Sequence, residues 1–186
     1  MPANYSNCIG CPYVNQQHLS SGGIAPVFTP LSIDYGTSSN VLLVFQAPGF
    51  DEWIGNTASG MRIPIDSVNP HSAGNRMRRS MVRKNTSRAD YDITEAVQCY
   101  PGKKSTGRDK IPSSTSMRCC LRHLVNDLSQ KQYNKIVAFG DIAYQMTCNA
   151  VSIINTNTKI SIIQPTPIHA KHPSGRVSNS SLDASY

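Results

Sequence analysis

The sequence contains no run of 18 consecutive apolar residues, and it is poor in acidic side chains. Without such a run, no membrane-spanning helix is expected. The opening residues MPANYSNC lack the apolar core of a secretory signal, so we expect a cytoplasmic protein. Only 11 Asp and Glu oppose 18 Lys and Arg, which gives a net charge of +7 and a pI near 9.2. This imbalance favours a polyanionic partner, and nucleic acid is the leading candidate.

The length of 186 residues suits one domain that can bury a full core without covalent staples. We therefore expect residues 1–186 to form a single domain. A Ser-rich stretch at about residues 177–186 is expected to be a loose tail. Nothing in the sequence indicates an obligate protein partner, so the expected state is a monomer.

One stretch, VLLVFQAPG, has the pattern of a buried strand that delivers a tight loop. Val41–Phe45 is an unbroken apolar run, which is typical of a strand covered on both faces. The loop that follows contains Pro48, which stiffens it, and Gly49, which permits a sharp bend. Ligands of open α/β sheets bind at the carboxyl ends of strands. We therefore expect the functional site at this loop.

The remaining pattern alternates strands with helices. It predicts helices at residues 73–84 (capped by Ser72), 116–130 (with caps offered by Ser113 and Ser114) and 142–148. It also predicts strands at residues 91–99 and 135–140, with one or two more within 152–167. The alternation predicts an α/β fold, a three-layer αβα sandwich around a mainly parallel four-stranded sheet.

Six cysteines in a chain with no sign of secretion point to metal or redox chemistry before disulfides. Cys8 and Cys11 form a C-x-x-C pair, a spacing that is common by chance. The others are Cys99, the doublet Cys119-Cys120, and Cys148.

Four motifs in order make the sequence resemble the uracil-DNA glycosylase superfamily, and within it the iron–sulfur, family 4-like type. They are the early C-x-x-C, a strand ending in a loop like G-E-A-P-G, a strand ending in a pattern like T-N-x-V-x-C, and a late H-P-S. In this chain they read Cys8 to Cys11, Phe45 to Gly49, Thr94 to Cys99, and His172-Pro173-Ser174. The resemblance covers roughly residues 8–176. Its strength lies in the order of the motifs, since no single one is specific.

The resemblance implies a [4Fe–4S] cluster held by four thiolates. Cys8, Cys11 and Cys99 correspond directly to the family's ligands. Of the doublet, Cys120 fits better because it precedes Leu124 in the family's C-x-x-x-L helix pattern, and Cys119 would lie about 100° round the helix. Tetrahedral zinc on the same four sulfurs is the alternative.

The reaction that the resemblance implies is hydrolysis of the N-glycosidic bond of a nucleotide flipped out of DNA. His172 would donate from a neutral imidazole to the O2 edge of the base, where negative charge collects as the base departs. Backbone N–H groups of the loop from Gln46 to Gly49 would assist. Ser174 and Arg176 would sit where the family presses on the DNA backbone or fills the vacated stack. Arg76, on the basic helix that follows the first loop, is a further candidate for DNA binding.

Two departures from the family pattern concern the base pocket, which the motifs place at Ala47, Pro48, Gly49 and Glu52. Gln46 replaces a Glu, and Ala47 stands where the best-known relatives carry a water-activating Asp. Asp51 or Glu52 could orient a water instead, or electrostatics could carry most of the rate. Glu95 replaces the Asn that reads the uracil edge. The residue that stacks on the base stays open between Trp53, Phe50 and His71.

Glu95 suits cytosine better than uracil, because a carboxylate accepts from the N4 amine of cytosine but repels the O4 oxygen of uracil. Release of plain cytosine would destroy the cell's own genome, so we expect a modified cytosine whose 5-substituent fits beside Gly49. Hydroxymethylated and glucosylated cytosines occur in bacteriophage DNA, which suggests a defensive role. The alternatives are uracil repair with an altered pocket, a non-catalytic DNA-binding module, and a metal-binding regulator.

Overall fold

The centre of the fold is a four-stranded sheet. The structure is a computed structural model that describes residues 8–13, 30–37, 39–50, 52–53, 72–173 and 177–186. The strands are β1 (Val41–Phe45), β2 (Asp92–Glu95), β3 (Lys135–Phe139) and β4 (Ile168–Ala170). Their spatial order is β2-β1-β3-β4, and each neighbouring pair is parallel. The carboxyl ends of all four strands therefore meet at one edge.

Helices cover both faces of this sheet. They are α1 (Ala73–Arg83), α2 (Ser114–Leu128), α3 (Asp141–Thr156) and the short α4 (Asn179–Asp183). Alternate residues of β1 point to opposite faces: Leu42 and Val44 pack with α2 and α3, whereas Leu43 and Phe45 pack with α1 and α4. This arrangement confirms the predicted three-layer αβα sandwich around a parallel sheet.

Serine side chains begin the two helices for which the sequence predicts caps. The Ser72 hydroxyl accepts from the backbone N–H of Asn75 at 3.1 Å, and α1 starts at the next residue. The Ser113 hydroxyl accepts from the N–H of Ser116 at the same distance, so α2 begins at Ser114, two residues before the predicted start.

The third helix is longer than the sequence pattern predicts. The pattern indicates a helix at residues 142–148, but α3 runs from Asp141 to Thr156 and includes part of the region expected to form strands. Its buried residues recur at helical spacing (Ala143, Met146, Thr147, Ala150, Val151 and Ile154), and this period overrides the β-branched composition. The prediction of strands within 152–167 is therefore wrong. The last strand is β4, which has only three residues.

The C-terminal segment is fastened to the domain, so the expectation of a loose tail is also wrong. Residues 177–186 include α4, whose Leu182 is fully buried, and they end in Tyr186, which is 7% exposed. Asp183 pairs with the guanidinium of Arg83 at 2.7 Å. The ammonium of Lys84 lies 3.9 Å above the Tyr186 ring. The Ser-rich composition of this segment gave no indication that Leu182 and Tyr186 would be buried.

The pairing of Asp183 makes this attachment sensitive to acid. The hydrogen bond from Arg83 lowers the pKa of Asp183 from 3.8 to about 2. A depressed carboxyl pKa contributes stability that is present above the unfolded value of 3.8 and is lost as the pH falls towards 2.

Leu182→Ala should lower the free energy of unfolding by about 2–5 kcal/mol, because it removes a fully buried side chain from the contact between α4 and α1. The measurement is urea denaturation at neutral pH. Ser180→Ala, at an exposed position of the same helix, is the control and should change the value by no more than about 0.5 kcal/mol. Equal stability of the two variants would mean that the segment is not part of the cooperative fold.

Candidate functional site

The ends of β1 and β2 bring Gln46 and Glu95 together. Phe45 and Glu95 are partners in the strand register, so the residue after β1 sits beside the last residue of β2. Two backbone bonds extend the pairing into the loops: Ala96 N–H donates to the carbonyl of Phe45 at 2.7 Å, and Val97 N–H donates to that of Gln46 at 3.0 Å. The position of the loop relative to Glu95 is therefore fixed by backbone.

The ends of β3 and β4 bring His172 to the same edge. The N–H of Gly140, directly after β3, donates to the carbonyl of Ala170 at 2.8 Å. A Cβ at Gly140 would lie 3.5 Å from the Cβ of His172, and the backbone has a positive φ of 91°. Any larger residue would be strained there by the positive φ, although its Cβ would meet His172 only in ordinary van der Waals contact.

His172 and the Gln46 loop are separated along the edge by β3 alone. The order β1-β3-β4 puts two strand spacings, about 10 Å, between the strands that lead to these residues. The strand between them ends at Gly140, which has no side chain to occupy the intervening space. The ideal Cβ position at Gly140 lies 3.5 Å from the Cβ and 3.9 Å from the Cδ2 of His172, so the histidine side chain borders this space.

The His172 side chain is available to a ligand. The residue is exposed to solvent, and within the part of the chain that the structure describes no group hydrogen-bonds to its ring. Enough protein nevertheless surrounds the ring for desolvation to lower the pKa of His172 below 6.5. The start of α3 at Gly140 acts in the same direction, because the positive end of a helix disfavours a cation. At pH 7 the ring is therefore a neutral donor.

The other pocket residues differ in exposure. Glu95 is 2% exposed, Gln46 and Ala47 are half-buried, and Pro48 is buried. Gly49 is exposed, and a Cβ placed on it would meet no atom of the described residues within 4 Å. Its φ is not positive, so the expected sharp bend does not require glycine at this position. What glycine supplies there is open space.

A scan of protein-family models matches residues 33–185 to the Uracil DNA glycosylase superfamily. The chain belongs to this superfamily. A search of curated proteins finds no significant match. Membership indicates a DNA glycosylase, a hydrolase that acts on DNA. No helix in the described segments combines the length and apolarity needed to cross a bilayer.

This chain of the glycosylase superfamily also buries four of its thiols in one part of the core. Cys8, Cys11, Cys99 and Cys120 are buried in one core cluster, and each is a free thiol. Burial and the neighbouring cysteines raise the pKa of Cys8 to about 11 and that of Cys120 to about 12, and they raise the pKa of Cys99 as well. Each of these three thiols therefore has other cysteines in its electrostatic neighbourhood.

Hydrogen-bond donors accompany two of the thiols. The backbone N–H of Gln98 bonds to Cys120, and the Nε2 atom of His123 lies 3.1 Å from the Sγ of Cys8. Cys120 is buried, whereas Cys119 is half-buried with its sulfur 4.0 Å from the carbonyl of Ile9. Cys119 is nevertheless one of the neighbours that raise the pKa of Cys8. Among the described residues, no group of three or more His, Cys, Asp or Glu is arranged to hold one metal ion.

The residues that the sequence predicts to stack on the base or to bind DNA lie in different environments. Trp53 is fully buried in the core and is not positioned to cover a base, whereas Phe50 is half-buried beside the loop. Glu52 is half-buried as well. The guanidinium of Arg76 donates to the carbonyl of Val177, so it already holds the C-terminal segment. Four predicted residues lie outside the described residues: Asp51, His71, Ser174 and Arg176.

Sequence reasoning missed two residues that contact predicted site residues. Gly140 supports His172, and the only signal for it was a glycine between an apolar strand and a helix. His123 contacts Cys8, and the signal was its position three residues after Cys120, which puts both on one helix face. Both act through contacts with residues that are distant in sequence.

Proposed function

We propose that this protein releases a modified cytosine from DNA by hydrolysing its N-glycosidic bond. The observation that carries the proposal is the convergence, at one sheet edge, of a neutral and solvent-accessible His172, the Gln46 loop and the buried Glu95. A flipped nucleotide would enter between the loop and His172, with its reading edge towards Glu95.

In this reaction the C1′–N1 bond breaks and its electron pair leaves with the base, while water adds to C1′ and releases a proton. The imidazole N–H of His172 would donate to O2 of the departing pyrimidine and stabilise the charge that grows there. Backbone N–H groups of residues 46–49 would assist. Ala47 supplies no base for the water, so Asp51 or Glu52 would orient it, or His172 would carry most of the rate.

The choice of base rests on Glu95 and Gly49. A carboxylate at the reading edge accepts from the N4 amine of cytosine, and a protonated Glu95 would donate to N3. Among the described residues, no atom lies within 4 Å of a Cβ placed on Gly49, which would leave room for a substituent on C5. A 5-hydroxymethyl or glucosylated cytosine satisfies both conditions. Since such bases mark bacteriophage DNA, the role we propose is defence against phage.

Uracil repair is the second candidate, and the family match itself favours it. Against it stands the swap of the family's Asn for Glu95, whose carboxylate cannot donate to O4 of uracil while it is ionised.

The thiols fit a [4Fe–4S] cluster of the family 4-like type, with Cys8, Cys11, Cys99 and Cys120 as ligands. The donor set supports this fit, because four buried sulfurs from three chain segments form the usual ligand set of such a cluster. Tetrahedral zinc on the same sulfurs is the alternative, and iron and sulfide analysis of the purified protein separates the two. When bound, the cluster would supply cross-links between the three segments, since the hydrolysis needs no electron.

His123→Phe should make the cluster about tenfold more labile, because it removes the donor to the Cys8 sulfur and keeps the ring volume. The measurement is the rate at which visible absorption is lost in the presence of an iron chelator. His123→Gln, which can still donate, should restore part of the lifetime, and the exposed Arg122→Ala is the control. Loss rates that do not differ from wild type in His123→Phe would refute this role for His123.

The experiment that tests the proposed function is incubation with duplexes that carry uracil, cytosine, 5-hydroxymethylcytosine or its glucosylated form, followed by mass spectrometry of the released base. The proposal predicts abasic sites and the free 5-substituted cytosine. Faster release of uracil from matched duplexes would reject the choice of base. No release from any substrate, with DNA binding retained, would support the non-catalytic alternative.

A further inference from the structure

A basic hairpin, residues 100–112, projects from the domain beside the base pocket. Its strands are joined by an antiparallel bridge between Lys103 and Asp109 and by a bond of 2.7 Å from the N–H of Lys104 to the carbonyl of Arg108. Gly102 and Gly107 have positive φ angles of 88° and 76°, which their turns require. The hairpin therefore has a defined backbone.

The base of the hairpin packs against the loop that follows β1. Tyr100 is 2% exposed, and its ring centroid lies 5.3 Å from that of Phe50, the residue directly after Gly49. Its hydroxyl bonds to the carboxylate of Asp109 at 3.0 Å. Cys99, one of the four gathered thiols, precedes it. The hairpin is thus packed against the loop that would hold the base.

The tip of the hairpin is charged and open. Residues 103–109 are exposed, and four cations stand against the single acid Asp109: Lys103, Lys104, Arg108 and Lys110. The ion pairs among described residues lie elsewhere in the fold. At about 3.3 Å per residue, three residues reach roughly 10 Å from the base of the hairpin.

Two cations of the basic helix α1, Arg76 and Arg83, and Lys84, which follows the helix, are in a different situation. Arg83 is paired with Asp183, Lys84 donates to the carbonyl of Tyr186, and Arg76 donates to Val177. These side chains hold the C-terminal segment. The hairpin is therefore the stronger candidate for phosphate contacts beside the pocket.

We infer that the basic hairpin binds the phosphate backbone of the DNA strand that carries the target base. This inference rests on the proposed function in one respect, that DNA is the partner. It does not require that the protein release a base. Lysine–phosphate contacts position a strand without reading its sequence, so the hairpin would set affinity and register, while the pocket selects the base.

The test is DNA binding measured by fluorescence anisotropy over a range of salt concentrations, with an unmodified oligonucleotide duplex. Lys103→Ala/Lys104→Ala should reduce the slope of log K against log salt by about 2, because each lysine that no longer neutralises a phosphate removes about one unit. Lys135→Ala/Lys159→Ala is the matched control. It removes the same charge near the opposite edge of the sheet, at the start of β3 and after the end of α3, and should leave the slope unchanged.

Each outcome decides the matter. A reduced slope for the hairpin pair alone supports the inference, and Lys103→Glu/Lys104→Glu should weaken binding further at the same unfolding midpoint. Equal slopes for the two alanine pairs, with wild type still releasing its base, would overturn the inference and leave the proposed function intact. A reduced slope without any base release would support the hairpin and reject the glycosylase.

Discussion

Replacing His172 with alanine should lower kcat for base release by about 100- to 1000-fold and leave KM nearly unchanged. The expected loss is that of one donor aimed at a developing anion, about 2.7–4 kcal/mol. A group whose bond forms mainly in the transition state affects kcat far more than ground-state binding. Desolvation keeps the ring neutral at pH 7 by lowering the pKa of His172, so its N–H is available without a proton to lose first.

The control for this variant is His169→Ala. His169 lies three residues earlier on β4, stacks on Tyr144 and pairs with the exposed Asp141. Its loss should change kcat by no more than about twofold, as for other surface substitutions. Single-turnover kinetics on a 5-substituted cytosine duplex separates the two variants. Equal rates for both would remove His172 from the chemistry.

Glu95→Asn should reverse the base preference. Release of the 5-substituted cytosine should fall by roughly 10- to 100-fold, because a base-edge contact carries about 1–3 kcal/mol of discrimination. Uracil release should rise, since an amide offers both the acceptor for N3–H and the donor for O4. The measurement is the ratio of the two release rates on matched duplexes.

Asp141→Asn controls for the general loss of a carboxylate at this edge of the sheet. Asp141 is highly exposed and pairs with His169, so its replacement should leave the base ratio unchanged. If wild type already releases uracil faster than 5-substituted cytosines, or if Glu95→Asn leaves the ratio unchanged, Glu95 does not read the base.

The sequence was sufficient where local pattern and tertiary packing agree. Five apolar residues between turn residues predicted β1 with its observed bounds, because a strand buried on both faces leaves no polar position. The serine before the first helical period located the start of α1, and the serines before the second located that of α2 to within two residues. Motif order placed Glu95 and His172 at strand ends, and the parallel sheet then brings strand ends together.

Where local composition and tertiary packing disagree, the prediction from the sequence was wrong. Alternating β-branched and polar residues within 152–167 suggested one or two strands, but up to Thr156 burial against the sheet at helical spacing decides the outcome. The Ser-rich end suggested a loose tail, and only the folded α1 provides the surface that buries Leu182 and Tyr186. The contacts of His172 with Gly140 and of His123 with Cys8 depend on residues 32 and 115 positions apart, which no local pattern records.

The central claim is that His172 and the Gln46 loop enclose a base turned out of DNA. The most direct measurement is the structure of the protein bound to a duplex with a non-hydrolysable 5-substituted deoxycytidine. We predict a hydrogen bond of about 2.7–3.1 Å from the His172 ring to O2 of the extruded base, with Glu95 at its N3–N4 edge. A base that stays stacked in the duplex, or one held in a pocket that His172 does not line, would contradict the account.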